Sequence, residues 1–257
     1  MISLKKFMFA LGVTVCLVGS VNIAAAGDIA SESISQDRPK ASEILKRAYR
    51  YLESLERFSF DATTSNEDLY AGKMIIELTH HISVEVERPD RLRIDIAGDV
   101  KNRSIYFNQG HFTLLESKTG FYGQLEIPKT IDKALDFLYD TYHIKTPLAN
   151  LLYSDLLKRL GPKTEGYYFG STLIGKTVCD YVGFSNRSRE LQVWIERGDR
   201  PLIRKFVIID KTLKRHLRST TTIDWNTHPL FFGSSFAFTP PRNGVKIDIE
   251  TPKKEMR

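Results

Sequence analysis

The stretch Met74–Val86 constrains this chain more than any other. Met74, Ile76, Leu78, Ile82, Val84 and Val86 share one parity, and Glu77, Thr79, His81, Ser83 and Glu85 share the other. Successive side chains of a β-strand point to opposite faces, so parity is face. The spacing predicts a long strand with one apolar and one wetted face. At about 3.3 Å per residue it runs roughly 43 Å, well beyond the usual length of about five or six residues. Such a strand requires long neighbours and a cover for its apolar side.

The flanking sequence supplies both. Ser42 is placed to cap a helix of about 14 residues, with Ile44, Leu45, Ala48, Leu52 and Leu55 at three- and four-residue spacing. A β meander follows. Phe58, Phe60 and Ala62 alternate with polar residues, and the long strand comes next. Glu87-Arg88-Pro89-Asp90 forms a turn, and Leu92, Ile94 and Ile96 then alternate with Arg91, Arg93 and Asp95. Shorter strands are expected at Ser104–Asn108, His111–Glu116 and Phe121–Ile127. The period then becomes helical. Thr130 is expected to cap Ile131–Tyr139. Pro147 opens a second stretch with Leu148, Leu151, Leu152, Leu156 and Leu157, and Gly161-Pro162 ends it. Strands resume at Gly166–Leu173, Lys176–Phe184, Leu191–Arg197, Leu202–Asp210, His216–Trp225 and Ser235–Thr239. Sequential strands joined by short turns imply antiparallel pairing. Helices that interrupt strands rather than alternate with them exclude a doubly wound parallel sheet.

Ten or eleven strands at about 4.8 Å each would make a flat sheet near 50 Å wide, whereas three helices cover about 30 Å. A twisted sheet of this size curls. The expected architecture is α+β: a curved antiparallel sheet, a half-barrel, wrapped around a few helices with its apolar face concave. Side chains either fill the remaining space or leave a pocket for an apolar ligand. The candidate lining residues are Phe58, Phe60, Met74, Ile76 and Leu78, with Ile82, Leu92, Ile94, Trp194 and Phe206.

Other features narrow the function. Lys5 and Lys6 precede the apolar run Phe7–Val18, and Ala24-Ala25-Ala26 offers a cleavage site, the pattern of a signal peptide over residues 1–26. The run is too short for a spanning helix of ~20 residues. Residues 27–40 read as a flexible lead-in and 41–257 as a single domain, exported and lacking an integral span after cleavage. Loss of the two lysines takes the formal charge from +6 to +4, with the basic residues dispersed. Aromatic and basic residues do not interleave on one face, which speaks against nucleic acid. His80 and His81 point to opposite faces and cannot chelate together, so no metal or other cofactor is expected. Cys179, the remaining cysteine, reads as a small buried residue without a base, and nothing predicts an enzyme. Asp132, Asp136 and Asp140 lie four apart and read as a solvated helix face.

The segment Phe236-Ala-Phe238-Thr-Pro240-Pro241-Arg-Asn-Gly244-Val245 resembles the closing segment of the periplasmic LolA/LolB-like lipoprotein-carrier superfamily, and Arg88–Arg93 resembles its early strand turn. A closer likeness runs through Tyr51–Leu55, Glu87–Arg93, Thr130–Asp132, Pro147–Leu152, Val178–Asp180, Gln192–Glu196, Pro201 and Asp224-Trp225. It is to an uncharacterised family of predicted periplasmic proteins placed near those carriers. The resemblance implies a half-barrel closed by helices around a hydrophobic cavity. It also implies a binding or carrier role with a lipid or lipoprotein acyl chain as ligand. An envelope sensor or scaffold working through a protein partner is the alternative. No catalytic residue carries over, and Tyr181 stands where relatives often place a histidine.

Overall fold

The computed structural model describes residues 40–160, 165–212 and 214–252. The expected signal peptide, the lead-in up to residue 39, and Gly161-Pro162 lie outside the described residues. The long central hairpin determines the rest. β1 (Arg57–Tyr70) and β2 (Met74–Glu87) are 14 residues each and pair without interruption from Arg57↔Glu87 to Tyr70↔Met74. On one side follow β3 (Arg91–Gly98), β4 (Asn102–Asn108), β5 (His111–Glu116) and β6 (Phe121–Glu126). On the other lie β11 (Leu217–Asn226), β10 (Ile203–Asp210), β9 (Arg189–Glu196), β8 (Thr177–Ser185) and β7 (Glu165–Ile174). The two meanders join where β1 pairs β11, from Ser59↔Asn226 to Asn66↔Ser219. With β12 (Val245–Lys246) beside β6, the described residues form one open, curved, twelve-stranded sheet. It is antiparallel throughout except at β12, which runs parallel to β6.

The alternation that predicts β2 holds over its second half: Ile82, Val84 and Val86 are buried while His81 and Ser83 are exposed. The inner face of the sheet shares one core with two helices. α1 (Ala41–Ser54) contributes Ile44, Leu45, Ala48 and Leu52; α2 (Ile131–Tyr142) contributes Ile131, Leu135 and Leu138. Ser42 lies inside α1; the capping position is Lys40, with no side-chain cap. α2 continues past Tyr139 and ends at His143, in the left-handed region at φ 54°.

Two elements differ from expectation. The second helical stretch is broken into a 3-10 turn, Ala149–Leu151, and the one-turn α3, Leu156–Arg159. Between them Arg88 takes the Leu152 and Tyr153 carbonyls and Asp132 takes the Ser154 N–H. A continuous helix would have needed those groups for its own ladder. Ser235–Thr239 is not a strand either. Its aromatics pack on the outer face, Phe238 lying 5.4 Å from Tyr106 and 5.0 Å from Tyr122, and Arg93 donates to the Ser235 carbonyl. Pro240 and Pro241, lacking N–H donors, do not extend a ladder. The outer face is also less uniformly polar than expected, since Cys179, Trp194 and Val207 form a second apolar cluster there.

Candidate ligand-binding cavity

Strand register arranges the inner face in rows. Ala62, Ile82, Ile96 and Arg103 stand side by side across β1–β4. One row nearer the β1–β2 hairpin tip come Val193, Phe206, Thr221, Thr64 and His80. Leu191, Ile208, Ser219 and Asn66 form the next. Members of all three rows floor a cavity of about 970 Å³. Leu45 and Tyr49 of α1, Leu135 and Tyr139 of α2, and the segment from Ile144 to Tyr153 line the other side.

The lining has two chemistries. Ile82, Ile96, Leu191, Val193, Phe206 and Ile208 give it an apolar wall. A polar strip crosses the middle of the floor, where Thr64 and Thr221 share a hydrogen bond of 2.9 Å and Ser219 Oγ donates to Asn66 Oδ1 at 2.6 Å. His80 Nδ1 and Thr146 Oγ1 are buried with no hydrogen-bond partner among the described residues. Buried polar atoms are nearly always paired, so these two stand out. Burial also raises the Tyr49 phenol above its ordinary pKa.

The 144–159 segment is held by two clamps. Arg88 NH1 donates to the Leu52 and Leu55 carbonyls at 2.7 and 2.6 Å, and its NH2 donates to those of Leu152 and Tyr153 at 3.1 and 2.9 Å. One guanidinium thus ties the C-terminal end of α1 to the segment, adding to the Leu55 N–H that the Leu52 carbonyl already accepts. Burial lowers the pKa of Arg88. The second clamp corrects the reading of a solvated aspartate face at Asp132 and Asp136, whereas Asp140 is exposed as expected. Asp136 accepts a bidentate pair from Arg159, both at 2.9 Å, and the Tyr153 hydroxyl at 3.0 Å. Asp132 accepts from the Ser154 N–H and hydroxyl. The Arg159 guanidinium holds the Asp136 carboxyl below the usual range. Burial, then Asp136, pushes the Tyr153 phenol up to about 12.

The residues singled out in the sequence separate into groups. Ile82 and Phe206 line the cavity. Phe58, Phe60, Leu92 and Ile94 share its face but are at most 2% exposed in the core, with Phe58 and Phe60 packed on Trp225. Ile76 and Leu78 are half-buried nearer the hairpin tip, and Met74 is 58% exposed there. Trp194 belongs to the outer face: its neighbour Val193 points inward to the cavity, and Trp194 stacks on Tyr181 at 4.2 Å. The polar strip and the 144–153 lining were missed. The signal for the strip is present in β1, where the parity of Phe58, Phe60 and Ala62 continues into Thr64 and Asn66.

Among the described residues no group of three or more His, Cys, Asp or Glu could hold a metal ion. Cys179 is fully buried, and burial pushes its thiol up to about 11, so it is protonated at neutral pH. No helix among the described residues is long and apolar enough to cross a membrane.

Comparison with known proteins bears on the whole chain. The family model described as "Predicted periplasmic protein (DUF2092)" matches residues 41–250. No curated protein matches the sequence. Among solved structures the chain is similar to LprF from Mycobacterium bovis, at 11% identity, covering 80% of this chain and 97% of that one with a TM-score of 0.45. It is similar to the lipoprotein LppX from Mycobacterium tuberculosis, at 8% identity, covering 74% and 96% with a TM-score of 0.43. A LolA superfamily protein from Nitrosomonas europaea aligns at 10% identity, covering 78% and 99% with a TM-score of 0.37.

Proposed function

The chain belongs to the DUF2092 family of predicted periplasmic proteins, and from that premise we propose that it is a non-enzymatic periplasmic carrier binding a lipid or lipoprotein acyl chain. In this reading the curved sheet acts as a half-barrel around α1 and α2, and the ligand lies between them. The observation that carries it is the cavity of about 970 Å³ with its apolar wall. That volume is at the upper end of the range of roughly 300–1,000 Å³ for small-molecule sites. A dozen buried methylenes gain roughly 10 kcal/mol gross, comparable to the association cost of about 4–15 kcal/mol. The chain therefore has to be long. The likeness of the C-terminal segment to periplasmic lipoprotein carriers supports the same reading.

Titration with a fluorescent long-chain acyl probe tests it. Ile208 lines the cavity and is half-buried, so Ile208→Trp fills space without disturbing the packed core. The wild type takes up the probe and the variant loses at least most of that uptake at unchanged thermal stability. Equal uptake by both proteins would place the probe elsewhere and end the proposal.

One observation favours a protein interface as a second reading. Tyr167, Phe169, Tyr181 and Trp194 form a connected aromatic row on the outer face beside edge strand β7. Tyr167 and Phe169 are 45% and 55% exposed. Exposed apolar rows next to a free strand edge are where other chains dock.

A further inference from the structure

The cavity lining is amphipathic, which restricts what it can hold. Its carrier reading is taken as the basis here. Antiparallel pairing puts the β1–β2, β3–β4, β8–β9 and β10–β11 hairpin turns at one end of the sheet. The lining residues near that end include Lys101 in the β3–β4 turn, Arg103 at the start of β4 and Arg189 at the start of β9. Lys145, from the segment after α2, lines the same cavity. Against these four cations the lining has one carboxylate, Glu190, and that has its own partner, Lys211 Nζ, at 3.5 Å.

The cations are largely unspent. Among the described residues Lys101, Lys145 and Arg189 join no ion pair, and all three are exposed. Arg103 is 3.5 Å from Glu116 and keeps 42% of its side chain exposed. Arg189 faces Asp210 across the β9–β10 pair and helps hold its carboxyl below the ordinary range, after the Thr212 hydroxyl at 2.6 Å and N–H at 2.8 Å, but makes no ion-pair contact with it. His80 Nδ1 and Thr146 Oγ1, in the same lining, remain unpaired. Apolar residues stand beside these groups: Ile82 and Ile96 share the row of Arg103, Phe206 that of His80, and Leu191 and Ile208 lie one row nearer the hairpin tip.

We propose that the ligand is an amphiphile with an anionic headgroup, a carboxylate or phosphate, whose acyl chain enters the cavity while the headgroup stays among Lys101, Arg103, Lys145 and Arg189. An excess of like charges along the lining of an apolar cavity focuses the potential inside it and favours a complementary head. The chain supplies burial against the apolar residues, and the two unpaired polar atoms line the same cavity. The Thr146 hydroxyl can donate to a headgroup oxygen, and His80 can donate or accept according to its tautomer.

Calorimetric titration of the protein with four dodecyl amphiphiles tests this: dodecanoate, dodecyl phosphate, dodecanol and dodecyltrimethylammonium. The two anions are expected to bind roughly tenfold tighter than the cation, with the preference shrinking at high salt. Inorganic phosphate alone is expected not to bind measurably, because it buries no chain. In Lys101→Gln/Lys145→Gln/Arg189→Gln the anion-to-cation ratio falls towards one. These residues are exposed and outside any ion pair among the described residues, so the fold does not depend on them. Equal affinities for all four amphiphiles would overturn the headgroup assignment while leaving the cavity reading intact. A preference that survives in the triple variant would overturn it as well, and tight binding of free phosphate would make this an anion site rather than a lipid mouth. Failure of every amphiphile to bind would remove the cavity reading and this inference together.

Discussion

The Arg88 guanidinium lies over the Phe58 ring at 5.1 Å and donates to carbonyls from two separate segments. Removing it leaves several buried acceptors unpaired. Arg88→Ala is expected to cost about 2–4 kcal/mol, read as a lower urea midpoint. Arg88→Lys is expected to recover little of it, since a point charge cannot span carbonyls that a planar fork reaches together. A loss below half a kcal/mol would mean water replaces the clamp. Cys179 gives a second prediction at this scale. With no exposed surface and its thiol at about 11, it is expected to resist alkylation at neutral pH until the protein unfolds. Rapid labelling of the folded protein would contradict the packing of Cys179 against Trp194 and Val207.

The element that most shapes the cavity is the segment after α2, and it was the least legible. Leucine spacing from Leu148 to Leu157 fits a helix, but the segment's polar groups are taken by Arg88 and Asp132, which are distant in sequence. Periodicity cannot reveal partners of that kind. β2 lies at the other extreme, since a strict period of two leaves one choice of face. Trp194 fell between these cases. Val193-Trp194-Ile195 is apolar on both parities because the sheet there is covered on both faces, so no alternation shows which residue points inward. The Asp136–Arg159 clamp gives this scale its prediction. Asp136 has its carboxyl pKa lowered in the folded protein, so its contribution is present above the ordinary carboxylate range and is lost as pH falls through the folded value. Asp136→Asn is therefore expected to be less stable than wild type at pH 7, with the difference closing as pH falls below the ordinary carboxylate range. A difference constant with pH would show that shape, not charge, holds α3 to α2.

For the whole molecule, the width of the sheet against the width of its helices was readable from strand count, but that comparison left a filled core and an open space between them as equal alternatives. The twelve-stranded sheet has α1 and α2 in one core with part of its inner face, and the cavity adjoins that core, sharing Leu45, Leu135, Ile82 and Val193 with it. What strand counting could not supply was the polar strip and the cationic residues of the lining, because both draw on residues distant in sequence. The account stands on that cavity holding an acyl chain. Native mass spectrometry of the protein purified gently from the cell envelope tests it most directly. The account predicts a discrete added mass that organic extraction removes and that fragments as a lipid with an anionic head. A bare mass, with no gain after incubation with dodecanoate, would contradict it.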